Sequence, residues 1–511
     1  PYSERPLRYT STRPPHRRAP HPARRRGARP ARRDTGSPGS AAGATEPGPF
    51  KMGPAGRAPL PAANASDVIL AETTIFVGAV AFAVRDVVAA TVVGTAVDIS
   101  TLAKPLPWTG CRGRRDASRG KPQPRTLSVR RVRFGNYAAA AAAQRSVVER
   151  LAEAFPKAPG SALVFINPAG GTGNAEKLYN SEVSPIFAAA NVDAVVCVTS
   201  RQHEAYDRCR ELAASAGAGA VPAVYICVVG GDGTLAEVVK GLVEGCAALP
   251  DAGTRLRQSF RLAHIPGGSG NACAASIAHA CNDACSAADV AYYVVRGESR
   301  PLDLAKYEHG GPSHTPSFLA LEWAIVADID LGSEHMRWLG PARFTVAALR
   351  RILCLREYRG RLSYLPMAPK RGYYDASALP RLDEPLTLDW VQVPADNFQL
   401  LMACNVSHID ETTPIAPAAE LDDGAFHLVY TCGPASLGNR VRLLDAFLKL
   451  DEAKHVESRF CNVVKCAAFR LEPLAGDTSR MGLDGEEVVN AAIQAEMCHA
   501  ALTFCCSPDA K

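Results

Sequence analysis

The sequence predicts two folded domains, an α/β domain on a parallel sheet and then a mostly antiparallel β domain with inserted helices, with a cleft between them. Three observations carry this. From residue 162 to residue 271, four short apolar runs alternate with helix-like segments, as strands covered on both faces by helices do. Three of those runs end in glycine-rich loops. Beyond Ser299, strand-like stretches dominate, separated by Pro, Asp and Gly turns.

Ahead of these domains the chain is unlike a folded core. Residues 1–34 carry eleven arginines against Glu4 and Asp34, a net +9, whereas all 511 residues sum to +6. The remainder is therefore about −3, so the basic character belongs to a tail and no specific nucleic-acid partner is expected. Residues 1–60 are expected to form a disordered basic Pro/Arg-rich tail, for organelle targeting or for contact with an anionic membrane surface. Met52-Gly53 lacks the hydroxyl residue that a myristoylation signal needs. Residues 61–155 read as a poorly defined accessory region or linker. Glu72, Arg85 and Asp86 cut the apolar stretch 68–97 into pieces too short to cross a bilayer, and 75–77 and 91–93 suit strands. The sixteen cysteines are scattered, with Cys197, Cys227 and Cys354 in apolar runs, as buried free thiols of a reducing compartment would be. Cys281 and Cys285, with His279 nearby, have poor zinc spacing and read as a helix surface.

The α/β domain is expected over 160–300. Strand 163–166 runs into Asn167-Pro-Ala-Gly170-Gly171-Thr-Gly-Asn174 and a helix, and strand 194–198 precedes a second helix. Strand 223–229 ends in Gly230-Gly231-Asp232-Gly233 and a helix to about 245. Strand 262–265 ends in Pro266-Gly267-Gly268-Ser269-Gly270-Asn271 and an alanine-rich helix. None of the loops is a Walker motif or a Gly-x-Gly-x-x-Gly turn. Three such loops at successive strand ends nevertheless make a Rossmann-like nucleotide domain, because ligands in these sheets sit at the carboxyl ends of the strands. Ser269, Asn271 and Thr199 can add side-chain donors; Thr199 otherwise reads as a helix N-cap. A carboxylate at 232 repels phosphate, and two reasons for it fit: accepting a proton from an attacking hydroxyl, or holding a metal. Both point to phosphoryl transfer. Glu237, one turn into the helix, orients a basic group or faces solvent.

The β-rich domain is expected over 301–508, with strands at 318–321, 362–365, 386–393, 398–404, 426–430 and 466–471. Helical stripes interrupt it at 341–357 (Phe344, Ala348, Ile352, Leu355) and at 436–456 (Leu443, Leu444, Phe447, Leu448, Leu450). Asp328 and Asp330 would share one side of a strand, with Arg337 and Arg343 following. The arginines fit either transferring phosphoryl oxygens or a surface ion pair, and a carboxylate here fits a cationic amine at the mouth of an apolar pocket. Asp484 and Glu486 lie on one face if extended and suit Mg²⁺ reached partly through water; a plain β-turn competes. The segment 344–361 reads as a calmodulin-type partner site or as a core helix with a solvated basic side.

Laid out in this way, the chain resembles the sphingosine kinases, within the wider diacylglycerol-kinase-like lipid kinases, from about Ala162 to Phe504. Gly-Gly-Asp-Gly is shared with NAD kinases and phosphofructokinases, and Pro266-Gly-Gly-Ser-Gly-Asn-Ala272 narrows the match to lipid kinases. Most discriminating is Ala327-Asp-Ile-Asp-Leu-Gly-Ser-Glu-His-Met-Arg-Trp-Leu-Gly340, continued by Arg343-Phe-Thr345 and Tyr358-Arg-Gly-Arg-Leu-Ser-Tyr-Leu-Pro366. The resemblance implies an ATP- and Mg²⁺-dependent kinase acting on a sphingoid long-chain base. It is expected to be cytoplasmic with peripheral membrane association. Asp232 would be the general base. Asn167, Gly170, Gly171, Thr199, Gly231, Gly233, Glu237, Gly267, Gly268, Ser269, Gly270, Asn271 and Gly485 would line the nucleotide site, with Arg337 and Arg343 on phosphates. Asp484 and Glu486 would belong with Mg²⁺. Asp330 would recognise the substrate amino and hydroxyl groups, and Ile325, Phe344, Leu443, Phe447 and His455 would surround the lipid tail. The sequence departs from the family pattern at His203-Glu204, where a His directly before Ala is usual, and at Gly332 and Trp338. A diacylglycerol or ceramide kinase and a catalytically silent lipid-binding adaptor are the rival readings.

Overall fold

The computed structural model describes residues 68–70, 74–77, 80–104, 122–134, 136–171, 173–215, 223–309, 314–339, 342–367 and 379–507. The basic tail expected over 1–60 lies outside them.

The first described segment forms small antiparallel sheets. β1 (Val68–Leu70), β2 (Thr74–Val77) and β3 (Val80–Ala83) make one; β4 (Val87–Val93), β5 (Ala96–Ala103) and β6 (Thr126–Arg133) make another. Helix α1 (Tyr137–Ala154), capped by the Asn136 side chain on the Ala139 N–H, packs on them. Ile75, Val77, Phe82, Val97, Ile99, Ala140 and Val147 close a core of their own there. The stretch that is too interrupted to span a bilayer is therefore a folded β module, and among the described residues no helix is long and apolar enough to cross a membrane.

The parallel sheet follows as expected in type. β7 (Ser161–Ile166), β8 (Asp193–Val198), β9 (Val224–Gly230) and β10 (Phe260–Pro266) run parallel in the order β8-β7-β9-β10. Between β7 and β8 lie α2 (Ala175–Leu178), a π-helical turn and α3 (Ser184–Ala189). The later crossovers are α4 (Glu204–Ser215), α5 (Asp232–Ala247) with α6 (Ala252–Ser259), and then α7 (Ala272–Ala280) and α8 (Ala287–Arg296) after β10. One strand departs from expectation. β8 is the sheet edge and leaves Val195 and Val196 59% and 42% exposed, so an apolar run did not mean burial on both faces.

The remaining strands do not form a separate sheet. They are β11 (Ser299–His309), β12 (His314–Ser317), β13 (Ala320–Ala324), β14 (Tyr358–Pro366), β15 (Val391–Gln392), β16 (Asn397–Cys404), β17 (Phe426–Cys432), β18 (Asn462–Pro473), β19 (Met481–Leu483), β20 (Glu486–Val488) and β21 (Ile493–Cys505). They pair antiparallel with one another, and β21 joins β10 in parallel at Leu262 and Phe504. The two halves thus share one mixed sheet of fifteen strands among the described residues. Strand 386–393 of the sequence reading shrinks to the two residues of β15.

Residues 327–330 are a second correction. They belong to helix α9 (Ile325–Asp330), entered through Ala324 at φ 66°, a conformation rare for a residue with a Cβ. A 3-10 helix, Leu331–Leu339, and α10 (Ala342–Leu353) follow. The helical stripe at 436–456 is α11 (Leu437–Phe447) plus two short 3-10 turns.

The β module is bound to the α/β half by a buried cation. Arg125 Nη1 donates to Asp283 (3.0 Å) and Asp289 (2.5 Å), and its guanidinium lies 3.9 Å over the Tyr292 ring. Lys104 adds a second cation on Asp283. Truncating Arg125 leaves buried carboxylates short of charge, so Arg125→Ala is expected to cost about 3–5 kcal/mol in equilibrium urea unfolding. A loss under about 1 kcal/mol there, the range of an exposed pair, would mean that the pair is not a fastening.

Candidate active site

β7, β9 and β10 are neighbours in register, with Ile166 opposite Val229 and Pro266 opposite Gly230. Their loops therefore leave the sheet at one level and must pack backbone on backbone. A Cβ on Gly268 would lie 2.3 Å from Gly231 Cα, so no side chain fits at this crossing. Gly171, at φ 58°, is pressed against Gly268 in the same way, at 2.7 Å. The three glycine loops predicted to converge do so.

The polar side chains of these loops are mostly braces. Asn167 Nδ2 donates to Thr234 Oγ1 (2.8 Å) while its Oδ1 accepts the Ala169 N–H (3.0 Å), tying the first loop to α5. Asn271 is buried; its Oδ1 accepts the Gly268 N–H (3.1 Å) and its Nδ2 donates to Gly268 O (3.1 Å) and Glu411 Oε1 (2.7 Å). Thr199 Oγ1 donates back to Ile166 O (3.2 Å). Among these polar groups only Ser269 is exposed at the loop surface. An open concavity beside the first loop is lined by Gly173, Glu176, Lys177, Asn180 and Ser181.

Asp232 opens α5 and is only 8% exposed. Its carboxylate does not project freely into the loops. It turns beneath the third one, where Oδ2 accepts the Ala272 N–H (2.7 Å) and Oδ1 the Cys273 N–H (3.1 Å), at the N-terminus of α7. These are the unpaired donors of a helix start, and the macrodipole there favours negative charge. The acid in a phosphate cradle thus has a third reason that the sequence reading did not consider: it caps a helix. His264 stands behind it, Nδ1 3.6 Å from Oδ1, with Nε2 donating to Gly230 O (3.1 Å). Complete burial lowers the His264 pKa despite Asp232, so the ring is neutral.

The entrance to α4 accounts for the His203-Glu204 departure. Glu204 accepts hydrogen bonds from the Ser200 N–H (2.8 Å) and Oγ (2.9 Å), which hold its carboxyl down to about 2. Glu237, expected to orient a basic group, accepts the His203 N–H (3.1 Å) with the ring Nδ1 at 3.8 Å. Both glutamates shape this loop.

In the second half, the helical backbone splits the two aspartates that a strand would have kept together. Asp328 is buried, bonded to Arg356 Nη2 (3.0 Å) and Tyr358 OH (2.8 Å), with Arg351 at 3.6 Å. Asp330 is partly exposed, 3.6 Å from Arg343 Nη2, and the Arg343 guanidinium lies 4.4 Å over the Phe344 ring. The Arg337 side chain lies outside the described residues. Ile325 and Leu443 are in the core of this half, Phe447 packs against that core, and Phe344 is half-buried on α10. His455 is buried, its Nε2 donating to Ile415 O (2.9 Å).

Asp484 and Gly485, at φ 51° and 83°, form the two-residue turn of the β19–β20 hairpin, so Asp484 and Glu486 are not on one extended face. Asp484 Oδ1 accepts from Ser317 Oγ (2.6 Å) and the N–H groups of Leu319 and Ala320 (3.1 Å each), and Oδ2 from the Phe318 N–H (3.1 Å). Burial still pushes its pKa up to about 6. A carboxylate so engaged does not fit a direct Mg²⁺ ligand, whereas Glu486 is exposed. Among the described residues no group of three or more His, Cys, Asp or Glu has metal-ligand geometry.

Two groups escaped the sequence reading: His264 and Glu322, the latter buried on β13. Each is a polar residue with apolar neighbours on both sides within a strand, and that was the available signal.

Residues 161–307 match the diacylglycerol kinase catalytic domain. Sphingosine kinase 1 of Homo sapiens is 34% identical over 358 residues, covering 66% of this chain and 89% of that protein. The chain belongs to the sphingosine kinase family. It is an ATP-dependent lipid kinase of the diacylglycerol-kinase-like group. Other family members are similarly placed: Sphingosine kinase 1 of Arabidopsis thaliana is 34% identical over 332 residues (62% of this chain, 64% of that protein). Sphingoid long chain base kinase 4 of Schizosaccharomyces pombe is 28% identical over 342 residues (63% and 70%).

The glycine loops pack backbone on backbone only because no side chain stands at the crossing. Gly268→Ala forces apart atoms that would lie 2.3 Å away and is expected to weaken nucleotide binding at least tenfold, read by titration with a fluorescent ATP analogue. Wild-type affinity in that variant would show that the close crossing is dispensable.

Proposed function

We propose that the chain transfers the γ-phosphoryl group of ATP to the primary hydroxyl of a sphingoid long-chain base, giving the 1-phosphate and ADP. The observation that carries this reading is the pair of acids in different settings. Asp232 is fixed under the glycine loops, and Asp330 is partly exposed beside an apolar core. The first suits the nucleophile's hydroxyl. The second suits the ammonium of an amphiphilic amine, and Ile325, Leu443, Phe447, Phe344 and His455 are the proposed surroundings of its tail. Each CH₂ buried there contributes ~0.8 kcal/mol.

In this mechanism the hydroxyl oxygen bonds to the γ-phosphorus as the bond to the β-bridging oxygen breaks, and the hydroxyl proton passes to Asp232. The two helix N–H bonds fix the orientation of the Asp232 carboxylate, and a loose phosphoryl-transfer transition state needs the nucleophile oriented and its proton removed late. Mg²⁺ bound with the nucleotide would neutralise charge on the phosphate oxygens. Of this chain's residues, Glu486 is the candidate to meet it, and Asp484 holds the hairpin that presents Glu486. Arg343, and Arg337 on the same stretch, are proposed to meet the phosphates. Gly170, Gly171, Gly231, Gly233, Gly267, Gly268, Gly270 and Gly485 supply backbone without side chains.

A peripheral, cytoplasmic setting completes the proposal. Eleven of the fifteen described cysteines are buried free thiols, which suits a reducing compartment. Val346, Leu349 and Leu353 on α10 and Leu437 and Val441 on α11 are exposed beside Arg350, which suits brief contact with an anionic membrane surface. A calmodulin-type helix over 344–361 does not form: α10 ends at Leu353 and residues 358–361 are paired in β14.

Two measurements test this function. Asp232→Asn places an amide donor against the N–H of Ala272 or Cys273. Stability is expected to fall by about 1–3 kcal/mol and turnover by roughly 10²–10⁴-fold, with ATP still bound; turnover near wild type would remove the base assignment. In a competition between sphingosine and diacylglycerol for labelled phosphate, the amine is expected to dominate. Equal incorporation would favour the diacylglycerol or ceramide kinase reading.

A further inference from the structure

Most buried carboxylates of this chain have visible reasons for being buried, but Glu322 does not. It sits in the middle of β13, between β16 and β19, and is 7% exposed. Among the described residues no cation pairs with it, and its Oε1 has no hydrogen-bond partner. Its other contact is with a second acid, the side chain of Asp330 on the helix that follows the strand. The sheet makes room for it: Gly482 lies directly opposite on β19, and a Cβ there would fall 2.3 Å from Glu322 Oε1. Burying a polar group in this way is costly, and such costs cluster at functional sites.

We propose that Glu322 and Asp330 act as one acid pair at the head-group site, in which Glu322 donates its carboxyl proton to Asp330 and surrenders that proton to solvent when a ligand ammonium settles at Asp330. This rests on the reading that Asp330 meets the substrate amine. Two carboxyls in contact beside one cation, Arg343 at 3.6 Å from Asp330, carry one balanced negative charge, so the empty pair holds one proton. Burial first, and then the Asp330 charge, raise the Glu322 pKa well above the carboxylate range, in keeping with a proton held there. An ammonium adds a second positive charge beside Arg343, after which the pair can carry two negative charges. Glu322 is thus a positioning residue. It fixes the orientation of Asp330 and makes amine binding release a proton, which a neutral glycerolipid would not.

One cation already meets the pair: Arg343 on α10 lies 3.6 Å from Asp330. The remaining charged groups nearby have partners elsewhere. Asp328 on α9 is bonded to Arg356 and Tyr358, with Arg351 nearby. Arg480, leading into β19, donates to Leu331 O and lies 3.8 Å from Glu487. The strand partner of Glu322 on β16 is Met402, which does not titrate.

The test compares full-length wild type with Glu322→Gln, Glu322→Ala and Asp330→Asn. Sphinganine binding is measured calorimetrically near neutral pH in two buffers of different ionisation enthalpy, beside KM and kcat. Wild type is expected to release up to one proton per sphinganine bound. Glu322→Gln keeps a donor to Asp330, so its KM stays within about threefold while proton release disappears. Glu322→Ala is expected to raise KM about tenfold, the loss of one hydrogen bond to a charged group, with kcat little changed. The isosteric Gln variant keeps the test decisive if Ala does not fold. Unchanged proton release in Glu322→Gln, with KM raised in Asp330→Asn, would overturn the pair alone. An unchanged KM in Asp330→Asn would overturn the amine-recognition reading beneath it.

Discussion

The site depends on one interaction, the Asp232 carboxylate held across the first two N–H groups of α7. Asp232 begins α5, which leaves β9, and α7 leaves β10, so this ionic cap ties two helix starts together at the sheet's carboxyl end. The glycine loops can cross closely because both helices are fixed by it. Asn167 and Asn271 extend the same fastening to the first loop and to Glu411. A negative charge on α7 also cancels part of the positive potential that the helix start would otherwise present to a phosphate.

The second half is organised by a different device. Asp484, in a positive-φ turn, draws together the start of β13 through four donors, and Asp303 accepts the N–H groups of Gly424 and Ala500 (2.5 and 2.6 Å). Burial pushes Asp303 up to about 7 and Asp484 up to about 6. With folded values above the unfolded one near 4, the native state binds the extra proton. These two groups therefore contribute less stability as pH rises between roughly 4 and 7. Their value to the fold is positional: each fixes a turn that side-chain packing alone would leave loose.

Much of this was legible beforehand where one local rule decided the outcome. Parallel strands ending in glycine loops, and helices with a four-residue apolar stripe, follow from periodicity and turn chemistry. The errors arose where tertiary context decided. Val195 and Val196 read as doubly buried, but strand order is not encoded locally, and β8 ended at an edge. The segment at Asp328 read as a strand, but Ala324 adopts a left-handed φ and starts a helix that local propensity gives no reason to expect. Asp484 and Glu486 read as a metal pair because spacing shows which residues carry oxygen and not which oxygens are already engaged. The same blindness hid the role of Asp232, whose donors lie forty residues away.

Considered together, most of the buried acids here fasten the fold, Asp232 among them in addition to its proposed role as base. Asp232, Asp328, Asp484, Asp303, Asp283 and Asp289 each receive donors or cations from their own fold, and each joins elements distant in sequence. An acid of this kind offsets its desolvation by the segments it fastens. Glu322 receives no such donor at Oε1 and fastens nothing; what it touches is another acid, itself at a partly exposed position. A sequence under selection only for stability would replace it with an apolar residue, as the neighbouring positions Leu321 and Trp323 already are. Its presence is therefore explained by the proposed ligand at Asp330 rather than by the strand that carries it.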